Sequence, residues 1–188
     1  MNLSVLLYRI KFNYLKVIAA LYYRILFREI GRGSVIYRPM LLLNTERVIV
    51  GKKVLIRNGL RIEVLDRPDQ RKAFIEIGDN TNIEQHCHII CQNKIVIGRN
   101  VTITGHCAIV DTTHPYGKSA EKVGQRISFN DDEVIIGDNV FVGFGSILLP
   151  GTSIGLNSYI GAMSVVKGKF PPNSLIYGSP AKLVKLID

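Results

Sequence analysis

The chain has 188 residues, 47% hydrophobic and 21% charged, with a mean hydropathy of +0.18, which is enough apolar material for one domain with a core and argues against intrinsic disorder. The net charge of +9 is uneven: residues 1–40 hold seven basic residues against the single acid Glu29, and the other 148 carry only +3. That asymmetry argues against a basic nucleic-acid-binding body and for a basic arm meeting something acidic, a lipid surface or a partner.

Residues 1–30 read as helical. Leu6, Ile10, Asn13, Val17, Leu21 and Arg24 follow one face, yet Tyr8, Phe12, Leu15, Ala19, Tyr22 and Leu26 make much of the circumference apolar as well. Such a segment must be covered. It can pack across the open end of the domain, join neighbouring subunits, or lie in an anionic membrane interface with its basic residues outward. Its most apolar stretch, Val17 to Tyr23, is seven residues long, against the roughly 20 a spanning helix needs. No small-residue cleavage pattern comes after it, and the three cysteines Cys87, Cys91 and Cys107 are an odd number that fits a reducing cytoplasm. The expectation is a cytoplasmic protein whose residues 1–30 pack within the molecule or between subunits, with peripheral contact to an anionic membrane as the second reading.

From Val50 onward a period of six takes over. Aliphatic residues fall at Val50, Ile56 and Ile62, at Ile77, Ile83 and Ile89, at Ile97, Ile103 and Ile109, and then without a break at Ile136, Val142, Leu148, Ile154, Ile160 and Val166. Gly follows the aliphatic at Gly51, Gly78, Gly98, Gly137, Gly143, Gly155 and Gly161, as it would at a corner with no room for a Cβ. Four residues after the aliphatic the side chain is usually small, as at Thr81, Cys87, Cys107, Ser146, Thr152, Ser158 and Ser164. A helix repeats at 3.6 and a half-buried strand at 2, so neither accounts for this. Six-residue walls, three to a triangular coil, do: stacking buries the aliphatic column, and about five coils are expected. Frame breaks are then loops thrown out from corners. The slip between Ile89 and Ile97 is minor, Asp66 to Phe74 is a short excursion, and Pro115 to Glu133 is a long one of the kind that carries function.

With IGDNTNI, IVIGRNVTI, VIIGDNVFV and IGLNSYIGAMSVV, followed by FPPNSLIYGSPAKLVK, the region from about Val48 to Lys185 resembles the hexapeptide-repeat acyltransferases, and within them the sugar and surface-polysaccharide O-acetyltransferases. The resemblance implies an all-β, left-handed parallel β-helix. The expected layout is a helical, basic segment over 1–40, the β-helix over 41–170 with its loop at 115–133, and a tail over 171–188. It also implies a homotrimer with sites between subunits, acetyl-CoA as co-substrate, and neither metal nor redox cofactor.

His114, in DTTHPY at the mouth of the long loop, matches the histidine that acts as general base in sugar O-acetyltransferases of this family. An imidazole with a pKa near 6.5 can take a hydroxyl proton at neutral pH. Asp111 or a backbone carbonyl orients it. His88 is an expected acceptor contact, and so is Glu84, which stands where many relatives have Asn and is either a hydrogen-bond acceptor for a sugar hydroxyl or a solvated corner. Tyr116 either stacks on a sugar ring or packs the loop. For the donor, the resemblance carries onto Phe141, Phe144, Gly145, Ala162 and Met163 as the pantetheine groove, with Lys167, Lys169, Lys182 and Lys185 toward the CoA phosphates. The implied reaction is direct acetyl transfer from acetyl-CoA to a saccharide hydroxyl in capsule, exopolysaccharide or lipopolysaccharide synthesis. The alternatives are transfer to the amine of a nucleotide sugar and a non-catalytic β-helix scaffold. A zinc site at His86, Cys87, His88 and Cys91 is disfavoured. Cys87 sits in the small core slot, and the spacing lacks the paired CxxC of structural zinc sites.

Overall fold

Aliphatic residues six apart end up directly above one another. In the computed structural model, which describes residues 2–115 and 127–187, these residues build three parallel sheets, the faces of a left-handed β-helix. Among the described residues the first face has seven strands: Glu29–Ile30, Val48–Val50, Phe74–Ile77, Lys94–Ile97, Glu133–Ile136, Ser153–Ile154 and Lys169–Phe170. The second runs Val35–Ile36, Leu55–Ile56, Asn82–Ile83, Thr102–Ile103, Phe141–Val142, Tyr159–Ile160 and Ser174–Gly178, closed by the antiparallel Ala181–Leu186. The third runs Leu41–Leu43, Arg61–Val64, His88–Cys91, Ala108–Val110, Ile147–Leu148 and Val165–Val166.

Register makes the sequence columns physical. Val50, Ile77, Ile97, Ile136 and Ile154 pair in turn on the first face. Ile56, Ile83, Ile103, Val142 and Ile160 do so on the second, and Ile62, Ile89, Ile109, Leu148 and Val166 on the third. All fifteen are buried. The small residues lie inward too, where a hydroxyl serves neighbouring backbone: Thr81 Oγ1 donates to the Gly98 carbonyl at 2.9 Å and accepts from the Val101 N–H at 3.1 Å. Asparagines of the first-to-second corner form a ladder, Asn100 donating to Asn139 at 3.1 Å and Asn139 to Asn157 at 3.0 Å, each with positive φ.

The coil number and boundary need correcting. Six complete coils and part of a seventh are present among the described residues, not five. The first lies inside the segment assigned to the helical arm: Ile30, Ile36 and Leu42 already keep the period, and Glu29–Ile30 pairs with Ile49 and Val50.

Helix α1 spans Leu3–Ile18 behind Asn2, whose side chain accepts from the Ser4 N–H. A wide turn over Ala19–Tyr23 and a helical turn Arg24–Leu26 come next. Ala19, Tyr23 and Phe27 are buried and close the open end of the first coil. Packing across that end thus belongs to residues 19–27, while α1 itself has no buried residue. Leu3, Leu7, Ile10, Tyr14, Val17 and Leu21, spaced alternately four and three apart, are all more than half exposed. No helix among the described residues is long and apolar enough to cross a membrane.

Candidate active site

Every frame break in the sequence leaves the β-helix at one corner, between third and first faces. There the excursions after Val64, Cys91 and Val110 stack side by side. Arg67, almost fully buried, ties them together. It pairs with Asp69 at 2.8 Å and donates to the Gln92 carbonyl at 3.1 Å and to the Asn130 carbonyl at 2.7 Å. Gln92 in turn donates to Asn130 Oδ1 at 2.7 Å. At the stem of the long excursion the Ser128 N–H donates to the Thr113 carbonyl at 2.8 Å, an isolated antiparallel bridge. His114, exposed, is the next residue. It is therefore mounted at the end of a hydrogen-bonded stem and open to solvent, the setting a general base for a diffusing acceptor requires. Tyr116 lies outside the described residues.

Asp111 lies inside the coil, where it clamps the backbone of residues 92–94. It is fully buried, and its carboxylate accepts the N–H groups of Gln92 at 2.6 Å, Asn93 at 2.8 Å and Lys94 at 2.8 Å. Burial pushes its carboxyl above the usual range against the pull of these bonds. The sequence held the signal: Asp111 stands two residues after Ile109, in the inward slot filled by Val64 after Ile62 and Cys91 after Ile89. In Asp111→Asn an amide NH2 faces at least one of those N–H groups. A loss of about 1–3 kcal/mol in thermal or denaturant unfolding is expected. Lost turnover with unchanged stability would instead return Asp111 to the imidazole.

On the outer side of the third face, His88 is half-buried between Arg61 and Ala108. Burial first, then Arg61, pushes its imidazole below the ordinary value. Glu84 lies after the second-face strand Asn82–Ile83, its carboxylate 3.5 Å from Arg57 Nε. At the second-to-third corner an aromatic stack joins successive coils: His86 to His106 with centroids 5.1 Å apart, then His106 to Phe144 at 5.2 Å. The stack continues upward past Gly145, where a Cβ would lie 2.5 Å from the Met163 sulfur. Phe141 stacks on Tyr159 at 4.5 Å on the adjoining face.

The structure therefore brings Phe141, Phe144, Gly145, Ala162 and Met163 together on the second face and its corner. Lys182 and Lys185, paired with Tyr177 and Leu175, join that face. Lys167 and Lys169 are carried to the corner of His114 instead. The two groups stand at opposite ends of the third face, whose strand His88–Cys91 has four residues, roughly 13 Å at 3.3 Å each. Sequence reasoning missed Tyr37, Arg57 and the role of His86 and His106. The two histidines were legible as equivalents, each three residues after a column aliphatic.

Cys87, Cys91 and Cys107 are buried. The neighbouring Cys107 and burial push the Cys87 thiol up, and burial followed by the Asp111 carboxylate does the same to Cys91. Among the described residues no group of three His, Cys, Asp or Glu is placed to hold a metal ion.

Residues 133–168 match the family model described as bacterial transferase hexapeptide (six repeats). A protein of Escherichia coli K12, provisionally named lipopolysaccharide biosynthesis O-acetyl transferase WbbJ, is 29% identical over 173 residues, 85% of this chain and 86% of its own. The galactoside O-acetyltransferase of the same organism is 34% identical over 114 residues, 61% of this chain and 55% of its own length. Among solved structures, a hexapeptide-repeat-containing acetyltransferase of Vibrio cholerae O1 biovar eltor, complexed with acetyl coenzyme A, superposes with a TM-score of 0.65 at 21% identity, covering 100% of this chain and 91% of that one. The N-acyltransferase AntD of Bacillus cereus, in complex with dTDP and 3-hydroxybutyryl-CoA, does so with a TM-score of 0.71 at 19% identity, covering 88% and 86%. At these identities the likeness is one of fold.

Proposed function

We propose that this chain is a hexapeptide-repeat acetyltransferase and that it transfers an acetyl group from acetyl-CoA to a saccharide hydroxyl in surface-polysaccharide or lipopolysaccharide synthesis. The observation that carries this reading is its likeness along most of both chains to the Escherichia coli lipopolysaccharide-biosynthesis protein.

The mechanism is direct transfer. His114 takes the proton of the acceptor hydroxyl as its oxygen attacks the thioester carbonyl, and a backbone N–H stabilises the oxyanion. The tetrahedral intermediate collapses, the C–S bond breaks, and the thiolate of CoA leaves with the proton His114 had taken. The pantetheine arm runs past Phe144, Gly145, Ala162 and Met163, Phe141 flanks it, and Lys182 and Lys185 meet its phosphates. The base stands at one end of the third face and the groove at the other, so one copy of the chain does not complete the site. The corner of His114, with Lys167 and Lys169, closes against the groove corner of a neighbour, and this head-to-tail contact closes as a trimer. Glu84, His88 and Tyr116 are its acceptor-side contacts.

The first experiment is release of free CoA thiol from acetyl-CoA across sugars, nucleotide sugars and amines. Release with a hydroxyl acceptor supports the reading. Release with the amine alone moves it to N-acetylation, and failure to bind acetyl-CoA at all leaves a scaffold.

Peripheral membrane contact is the second part of the reading. It is supported by the exposed stripe of α1 and by the absence of any acid before Glu29. A second copy of so basic a helix would repel it, whereas anionic lipid attracts it. Flotation with anionic vesicles is expected to carry the full chain and to leave behind an Ile10→Glu/Val17→Glu variant with its fold intact. Equal flotation of both would remove the stripe from the contact.

A further inference from the structure

Between the inner side of α1 and the second-to-third corner lies an open cavity of about 390 Å³, lined among others by Tyr8, Lys11, Tyr37, Arg57, Glu84 and His86. Its wall holds two buried polar atoms without a hydrogen-bond partner among the described residues, the Tyr37 hydroxyl and Arg57 Nε. Tyr37 is 5% exposed. The Arg57 guanidinium lies over the Tyr37 ring, 5.6 Å from its centroid. Glu84 reaches Arg57 Nε at 3.5 Å without the alignment of a hydrogen bond. Leaving buried donors unmade is costly, and native folds keep few of them without a reason.

The chemistry of the missing partner follows from the donors. A guanidinium N–H can only donate. The Tyr37 phenol carries an O–H that can donate as well. Lys11 supplies a third donor and a second positive charge against the one acid, Glu84. Three convergent donors with a net positive charge call for several acceptor oxygens on one small anion, which is the description of a phosphate ester. The pocket also has a direction. Its His86 begins the stack that runs through His106 to Phe144. At about 4.8 Å per coil that stack covers roughly 10 Å to the donor groove, room for a sugar ring between an anchored phosphate and the thioester.

The geometry points to this pocket as a phosphate subsite of the acceptor, with Arg57, Lys11 and Tyr37 holding phosphate oxygens of a sugar linked through phosphate to a nucleoside or a polyprenyl chain. The inference rests on the saccharide-acetyltransferase reading and narrows its acceptor class.

The test is calorimetric titration of inorganic pyrophosphate into the full chain with coenzyme A at saturation, which fills the donor groove. Wild type is expected to bind. Arg57→Gln is expected to bind about 10- to 100-fold more weakly, the scale of a lost hydrogen bond to a charged group. Tyr37→Phe, which removes one oxygen and leaves the packing, is expected to lose several-fold. Affinity for coenzyme A, measured on the same preparations, should be unchanged in both. Absent binding, or equal binding by wild type and both variants, overturns the subsite. That failure is distinct from failure of the acetyltransferase reading, which is read by acetyl-CoA binding and thiol release. Uridine diphosphate and farnesyl diphosphate form the final arms: tighter binding of one than of pyrophosphate supports the subsite and identifies the linked group, and weaker binding of both counts against it.

Discussion

His114→Ala is expected to lower kcat for acetyl transfer by about 100- to 10,000-fold while leaving acetyl-CoA affinity within about twofold. The asymmetry follows from where the residue sits. His114 is exposed, beyond the Thr113–Ser128 bridge that pins the stem of its excursion, so its loss takes nothing from the buried columns. The proposed donor groove lies on another corner of the coil, so acetyl-CoA binding should survive. What disappears is the proton acceptor, needed as the acceptor oxygen develops charge. His114→Gln should behave like Ala, because an amide can hydrogen-bond but cannot take the proton. Steady-state kinetics with saturating acetyl-CoA read the effect. A variant within about fivefold of wild-type kcat would move the base elsewhere.

Gly78→Ala is expected to destabilise the fold by about 3 kcal/mol or more, although it adds a single methyl group. An added Cβ would lie 2.6 Å from the carbonyl carbon and oxygen of Gly98 in the next coil. Those atoms are backbone, and they are held there by the hydrogen bond from the Gly78 N–H to the Ile97 carbonyl at 2.8 Å. Overpacking in cores costs roughly 1–3 kcal/mol even when side chains can shift. Here only the spacing between coils could give, and the ladders on three faces fix that spacing at about 4.8 Å. Urea unfolding would check it, and an Ala variant within about 0.5 kcal/mol of wild type would mean that the coils can part locally. The φ of Gly78 is not positive, so the requirement is for space. The left-handed corner positions are filled by residues such as Asn80, Asn100 and Asn139.

The stacked columns were legible in the sequence because burial on three faces leaves a period that neither helix nor ordinary strand produces. The first coil was missed for a physical reason. The step from Leu42 to Val50 is eight, lengthened by the short helical turn Thr45–Arg47, so counting back from Val50 in sixes passes over it, even though Gly31 after Ile30 carries the usual corner mark. The upper end faded likewise. Phe170 replaces an aliphatic and follows Val166 by four. Phe141, Phe144, Gly145, Ala162 and Met163 fall together because they repeat with the coil, whereas Lys167 and Lys169 lie at the other corner. Asp111 carried two signals, its nearness in the chain to His114 and its place in the unit, and the second marked the inward clamp on residues 92–94. Tyr37, Arg57 and Lys11 meet only through tertiary folding, from a helix and two different coils, and no spacing along the chain announces such a meeting.

A stack of parallel coils is by construction an unfinished fibre, since each end offers the edges on which another coil could grow. The strand Ala181–Leu186 runs against the direction of the sheet it joins, and it carries Lys182 and Lys185 along that final edge. A further parallel coil meets the wrong hydrogen-bond pattern and a row of positive charge there. At the opposite end Ala19, Tyr23 and Phe27 lie over the first coil. Both features work against end-to-end addition of another copy. A change in the number of coils, and with it the length of the groove along the corner, would have to come from repeats added within the stack and not at its ends.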